Sequence, residues 1–163
     1  MSLRVFMTAI AATAAAAGIA AADIADFSFT DRDGNLRTFF EVIDAAPDGA
    51  AVYLLLFDPD CNECKDKIDA LRDDRGIASG IADGSVKVVA VYPVEEKPAP
   101  SDPNLEKYLR VAPELPEGWT VGIDNGSIFE GDFYQWDTLP LIIRYKKTED
   151  LTGRTPESLT DGK

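Results

Sequence analysis

The sequence predicts an α/β protein in which a β-hairpin precedes a layered sheet flanked by helices, and three patterns support this fold class. Two continuous apolar runs of strand length, residues 50–57 and 86–92, are typical of central strands covered on both faces. Between them, from Cys61 to about Arg75, apolar residues recur every three or four positions, as they do in a helix. Residues 27–30 alternate apolar and polar side chains before a turn-rich segment, which favours a hairpin. Strands that alternate with helices indicate an α/β sheet.

Local signals bound the individual elements. The first apolar run ends at Asp58-Pro59-Asp60, and the helix after it is expected to stop near Gly76, because glycine favours a helix C-terminus. The second run is closed by Pro93. In chain order, the further predicted elements are a strand or helix start at 36–40, a loop at 93–103, a short helix at 105–109, a strand at 119–123, one or two helical turns at 128–136 and a strand at 139–145.

Length and composition exclude several classes of protein. A chain of 163 residues is long enough for one domain with a sizeable core. Its 45% hydrophobic and 28% charged residues are ordinary globular values. The formal net charge of −13 repels phosphate backbones and anionic lipids, so we expect no nucleic-acid partner and no stable membrane insertion. The sequence has no histidine, which excludes imidazole bases and imidazole metal ligands.

Residues 1–22 have two interpretations. Arg4 precedes a weakly apolar run, and Ala20–Ala22 offers small residues at a cleavage position, which is the pattern of a secretory signal peptide. Because alanine has the highest helix propensity, the segment equally fits an Ala-rich N-terminal helix. The first interpretation predicts a periplasmic or otherwise exported protein and the second a cytoplasmic one. The folded domain is expected at 23–150, followed by a polar C-terminal tail at 151–163.

The two cysteines of the chain, Cys61 and Cys64, lie where a predicted buried strand ends and a helix begins. The positive end of the helix dipole favours the thiolate form of Cys61. The spacing puts both sulfur atoms on one helical turn, within reach of a disulfide. We expect the first sulfur to be exposed and nucleophilic and the second to resolve a mixed disulfide. The pair therefore predicts dithiol–disulfide exchange.

Two other uses of this pair stay open. The same spacing forms half of a zinc site, although carboxylates or a second subunit would have to complete it. A purely structural disulfide would stabilise the fold little, because so short a ring removes little entropy from the unfolded chain. The charged residues near Cys61 are mostly acidic: Asp58, Asp60, Glu63, Lys65 and Lys67. Because negative charge opposes thiolate formation, we expect a reducing rather than an oxidising couple.

These motifs together resemble the thioredoxin-like superfamily, specifically the exported bacterial thiol–disulfide oxidoreductases of the TlpA type. The likeness covers about residues 25–147, and Cys-x-x-Cys beside a βαβ pattern is typical of this chemistry. It implies a thioredoxin-like domain over residues 23–150 with a central mixed β-sheet. Its parts are the hairpin segment Ala25–Gly34, the strands Tyr53–Phe57, Val86–Tyr92 and Trp119–Asp124, the motif Cys61-Asn62-Glu63-Cys64, and Thr138-Leu139-Pro140 before Leu141–Ile143.

The resemblance implies an enzyme that reduces protein disulfides, with Cys61 as the attacking and Cys64 as the resolving residue. Its substrates would be protein or small-molecule thiols and disulfides, its electron donor is unidentified, and no cofactor or metal is expected. In the family a cis-proline precedes a strand opposite the cysteines, and Pro140 stands at the matching position. The backbone edge beside it could pair with an extended substrate. The predicted substrate-binding residues are Leu139, Thr138 and Pro59.

The chain departs from the family pattern around the cysteines. Asp60 stands where tryptophan is common, and Asn62-Glu63 replaces the commoner proline-containing pairs. The run Leu54–Phe57 carries no acidic residue that could accept a proton from Cys64. A second hypothesis is therefore a non-catalytic binding module on the same fold.

Overall fold

The described part of the chain contains seven strands, which form one mixed β-sheet. The computed structural model of the protein describes residues 26–130, 139–147 and 157–158. The central strands β3, β4 and β5 are parallel to one another, whereas β1 is antiparallel to β5, and β6 is antiparallel to β3. The strands are β1 (Ser28–Asp31), β2 (Leu36–Thr38), β3 (Ala51–Leu56), β4 (Val86–Tyr92), β5 (Thr120–Asp124), β6 (Leu141–Lys146) and β7 (Glu157–Ser158), in the spatial order β2-β1-β5-β4-β3-β6-β7. The predicted α/β class, mixed sheet and N-terminal hairpin are confirmed.

Helices cover both faces of this sheet. They are α1 (Phe39–Asp44), α2 (Asn62–Asp73), α3 (Arg75–Asp83), α4 (Pro103–Val111), α5 (Ser127–Glu130) and a short 3₁₀ turn at Ala112–Glu114. Apolar residues of α2, α3 and α4 pack in one buried cluster, and those of α1 pack in the cluster on the opposite face. Strand β3 supplies both clusters, because Leu55 faces the first and Leu54 and Leu56 face the second. This arrangement explains why its sequence is continuously apolar.

One local prediction was wrong. The helix after the cysteines ends at Asp73 rather than near Gly76, because the side chain of Asp74 accepts the amides of Gly76 and Ile77 at 2.7 and 3.0 Å and so begins a second helix. The predicted strand or helix start at 36–40 is confirmed, since β2 ends at Thr38 and the chain becomes helical at Phe39, where Thr38 and Glu41 form a reciprocal capping box.

Several predictions fall outside the described residues: the leader or helix at 1–22, the segment 131–138 with Thr138, and most of the tail. Within that tail, Glu157–Ser158 pairs with β6 as an edge strand. None of the helices that the structure describes has both the length and the apolar character needed to cross a bilayer.

Candidate active site

A tight turn carries the chain from the carboxyl end of β3 into helix α2. The Cys61 amide donates to the Asp58 carbonyl oxygen at 3.1 Å, and the Asp60 amide donates to Asp58 Oδ1 at 2.8 Å. Helix α2 begins at Asn62, so Cys61 is its N-cap residue. Its sulfur takes the position usually held by a capping oxygen and accepts the Cys64 amide at 3.1 Å. The turn thus places one sulfur directly at the helix N-terminus.

The two sulfur atoms lie at disulfide distance, with Cα atoms 5.2 Å apart. Cys61 is partly exposed, whereas Cys64 is 0% exposed and packs in the cluster beneath α2. The Asp58 amide, 3.5 Å from Cys64 Sγ, donates to the buried sulfur. Solvent therefore reaches one sulfur of the pair, and a backbone N–H contacts each of them.

Two cations from α4 change the electrostatics that the sequence indicated around Cys61. Asp60 Oδ2 lies 2.8 Å from Lys107 Nζ, and Asp60 Oδ1 lies 3.3 Å from Arg110 Nη2. The hydrogen bond from Lys107 holds the pKa of the Asp60 carboxyl below its ordinary value, and the same contact raises the pKa of Lys107. The acidic cluster that the sequence places around Cys61 is thus partly neutralised, which weakens the sequence argument for a reducing rather than an oxidising couple.

Tyr92, at the end of β4, lies behind the same turn. Its hydroxyl donates to Asn104 Oδ1 at 3.0 Å, and its ring contacts that of Phe57 with centroids 6.3 Å apart. Burial raises the pKa of Tyr92, and the nearby charge of Asp58 adds to that shift. The side chain of Tyr92 therefore stays neutral and faces Asp58.

Pro140 and Leu139 lie at the same end of the sheet as the cysteines. The antiparallel register pairs Leu56 with Leu141, so residues 139–140 continue alongside the segment that follows β3. Both residues are partly exposed, and the Leu139–Pro140 peptide bond is cis. Pro59 is buried and lines a cleft of about 200 Å³ below the turn. The structure thus brings five of the six predicted site residues to one region, and Thr138 lies outside the described residues.

Sequence reasoning missed the residues of helix α4 that contact the turn before the cysteines. Lys107 and Arg110 are three residues apart on a helix, which marks one cationic face, but nothing local indicates that this face meets Asp60 about 50 positions earlier. The contact between the Asp58 amide and Cys64 depends on the turn geometry and has no sequence signature. Within the described ranges, no group of three or more acidic, cysteine or histidine side chains could hold a metal ion.

Solved structures match this chain over most of its length. A thioredoxin-like protein from Bacteroides caccae is 20% identical with a TM-score of 0.68, and the match covers 86% of this chain but 45% of that one. The C-terminal domain of an uncharacterized protein from Bacteroides fragilis is 20% identical with a TM-score of 0.66, and the match covers 88% of this chain and 89% of that one. This chain has a thioredoxin-like fold.

A third structural neighbour has an activity in its name. It is the thioredoxin domain of a thiol-disulfide oxidoreductase from Bacteroides vulgatus, 14% identical with a TM-score of 0.59, matched over 87% of this chain and 89% of that one. No family model and no curated protein matches the chain. These identities establish the fold, and the chemistry has to be argued from the site.

Proposed function

We propose that this protein is a thiol–disulfide oxidoreductase of the exported TlpA type that reduces protein disulfides through the Cys61–Cys64 dithiol. The observation that carries the proposal is the pairing of a partly exposed sulfur at a helix N-terminus with a fully buried sulfur at disulfide distance. A purely structural bridge of this ring size would stabilise the chain little.

The geometry suits each step of such a reaction. The Cys61 thiolate, favoured by the helix dipole and by the Cys64 amide, attacks a substrate disulfide and releases one substrate thiolate. Cys64 then loses its proton and attacks Cys61 Sγ, which releases the second substrate thiol and closes the protein disulfide. Two electrons pass from the dithiol to the substrate. Burial of Cys64 protects it from direct reaction with other disulfides.

The substrate backbone would dock along the edge formed by Leu139 and Pro140. An extended substrate could add as a short strand at this edge and bring its disulfide to Cys61. The contribution of Thr138 to this edge rests on the sequence, and the buried Pro59 would shape the floor below it. The named thiol–disulfide oxidoreductase among the structural neighbours supports protein or small-molecule disulfides as substrates.

Reduction of insulin by dithiothreitol tests the proposal. The reduced wild type should accelerate the reaction well above background, and Cys61→Ser and Cys64→Ser should each return it to background. The Cys61–Cys64 reduction potential, measured against glutathione, decides the direction, and a value close to that of thioredoxin, about −270 mV, would support a reductant. If the wild type reduces insulin no faster than the two serine variants, the chain is a non-catalytic binding module instead.

We also propose the domain boundaries and location that the sequence suggests: a signal peptide at 1–22, a thioredoxin-like domain at 23–150 and a polar tail at 151–163. Expression of the full chain in a Gram-negative bacterium tests the leader. A periplasmic product that begins near Asp23 by mass spectrometry is the expected result. An uncleaved cytoplasmic product would favour the Ala-rich helix.

A further inference from the structure

The residue that precedes Cys61 carries a negative charge. Asp60 and Cys61 are consecutive, so their Cα atoms lie about 3.8 Å apart. The hydrogen bond from Lys107 holds the pKa of the Asp60 carboxyl below its ordinary value, so the group is ionised at neutral pH. An isolated carboxylate at this position would oppose the Cys61 thiolate that starts the proposed reaction.

Helix α4 brings two cations to this one carboxylate. Lys107 Nζ lies 2.8 Å from Asp60 Oδ2, and Arg110 Nη2 lies 3.3 Å from Asp60 Oδ1, so each carboxylate oxygen contacts a different cation. The two cations are three residues apart and share one face of α4. One negative and two positive charges leave an excess of positive charge next to Cys61.

We propose that Lys107 and Arg110 are positioning residues for the Cys61 thiolate, because by pairing with Asp60 they change the charge beside the sulfur from unfavourable to favourable. This inference rests on the proposed function and deepens it. The dipole of α2 and the Cys64 amide act on the same sulfur, so the cations of α4 add to a stabilisation that is already present. An acidic residue before the first cysteine is therefore compatible with a reactive thiolate in this chain.

The other charged groups around the turn do not supply this positive charge. Glu63 is exposed and Asp58 is half-buried, and both are acidic. Asp102 is also acidic and caps the start of α4. Lys65 is the weakest of the three cations that attract the carboxylate before Cys61, and it lines the cleft below the turn. Tyr92 stays neutral, because burial raises its pKa. Among the described residues, the positive charge at this position therefore comes mainly from α4.

Alkylation of reduced Cys61 by iodoacetamide, followed by mass spectrometry, measures this effect, because the thiolate is the reacting form and the reagent carries no charge. Asp60, Lys107 and Arg110 are all partly exposed, so we expect moderate changes. Lys107→Gln and Arg110→Gln should each slow the reaction about 2- to 4-fold at neutral pH and low salt, and should move the midpoint of its pH profile upward. Asp60→Asn should accelerate the reaction by a similar factor and move the midpoint downward.

The opposite signs identify an electrostatic role. Loss of either partner breaks the same ion pairs, so a role confined to holding the turn in place would change the rate in one direction for all three variants. At 1 M salt the Debye length falls to about 3 Å, and the rates of the variants should converge on the wild-type rate. Lys107→Arg retains the charge and should retain the wild-type rate.

Lys87→Gln is the matched control, since it removes the same charge near the start of β4, at the opposite end of the sheet from the cysteines. It should leave the rate and the midpoint near their wild-type values. Equal slowing in Lys87→Gln, changes of the same sign in Asp60→Asn and Lys107→Gln, or unchanged alkylation in all three ion-pair variants would overturn the role of α4. The insulin assay keeps this result apart from the proposed function, because a wild type that fails to reduce insulin overturns that function whatever the alkylation rates show.

Discussion

The carboxyl ends of β3 and β5 are built alike, and both place an aspartate before a turn into a helix. At β5, Asp124 is 0% exposed, and its oxygens accept the Ser127 and Ile128 amides at 3.1 Å each. At β3, Asp58 is half-buried and accepts one amide from its own turn. The helix after β5 is thus held by a carboxylate, whereas the helix after β3 is capped by the sulfur of Cys61.

This difference indicates how one structural unit can serve two purposes. At β5 both carboxylate oxygens of Asp124 accept amides at the start of α5, and these hydrogen bonds stabilise the turn. At β3 a weaker sulfur cap replaces the oxygen cap, so the positive helix end acts on the Cys61 sulfur, and the Asp58 carboxylate does not cap the helix. We infer that the β3 end gives up local stability for the proposed thiol chemistry.

The largest expected difference between the two strand ends is in the free energy of unfolding when each carboxylate is removed. Asp124→Ala should lower the free energy of unfolding by about 2–4 kcal/mol, because the buried Ile128 amide loses its acceptor and the start of α5 loses its cap. Asp58→Ala should cost less than about 1 kcal/mol, because a partly exposed amide can bond to water instead. Urea unfolding of both variants measures the difference, and equal costs would contradict the larger structural role that the buried hydrogen bonds give to Asp124.

The two strand ends also show what could be predicted from sequence. The strands β3 and β4 were predictable because their runs are apolar on both faces, and the position of Cys61 followed from the polar break at Asp58-Pro59-Asp60. The end of α2 was not predictable from Gly76, because Asp74 competes by capping a new helix. The role of Asp124 depends on its burial beside Ser127, which a single aspartate at a strand end does not indicate.

A smaller effect is expected in the pH dependence of stability, and it concerns the buried Asp124. Burial raises the pKa of Asp124 above its ordinary 3.8, and hydrogen bonds from Ile128 and Ser127 offset only part of that shift. The native state therefore holds this proton to higher pH than the unfolded chain. The contribution of Asp124 to stability is greatest below the unfolded pKa and falls as the pH rises through the folded pKa.

Comparison with Asp124→Asn isolates this contribution from other titrating groups. The stability advantage of the wild type over Asp124→Asn should shrink as the pH rises above about 4, as measured by urea unfolding at each pH. An advantage that grows with pH would mean that the hydrogen bonds outweigh burial at Asp124.

The electrostatics of the cysteine site show a different limit of sequence reasoning. The acidic residues near Cys61 were visible in the sequence, but their effect depends on Lys107 and Arg110, which reach Asp60 from another helix. Local charge counting cannot include such partners, because it lacks the packing of α4 against the turn. The proposed reaction type depends on the two sulfur atoms, which are visible in the sequence, whereas the reduction potential depends on tertiary contacts.

The smallest effect tests whether the sulfur cap at α2 costs stability. In the reduced protein, Cys61→Ser should raise the free energy of unfolding by about 0.5–1 kcal/mol, because serine oxygen is a preferred N-cap acceptor for the Cys64 amide. The same variant should have no disulfide-reducing activity. Cys61→Ala serves as the control, since it removes the cap without replacing it and should be the least stable of the three. A serine variant that is less stable than the reduced wild type would mean that contacts other than the cap stabilise the sulfur. The inference that the sulfur cap lowers the stability of the β3 end would then be wrong.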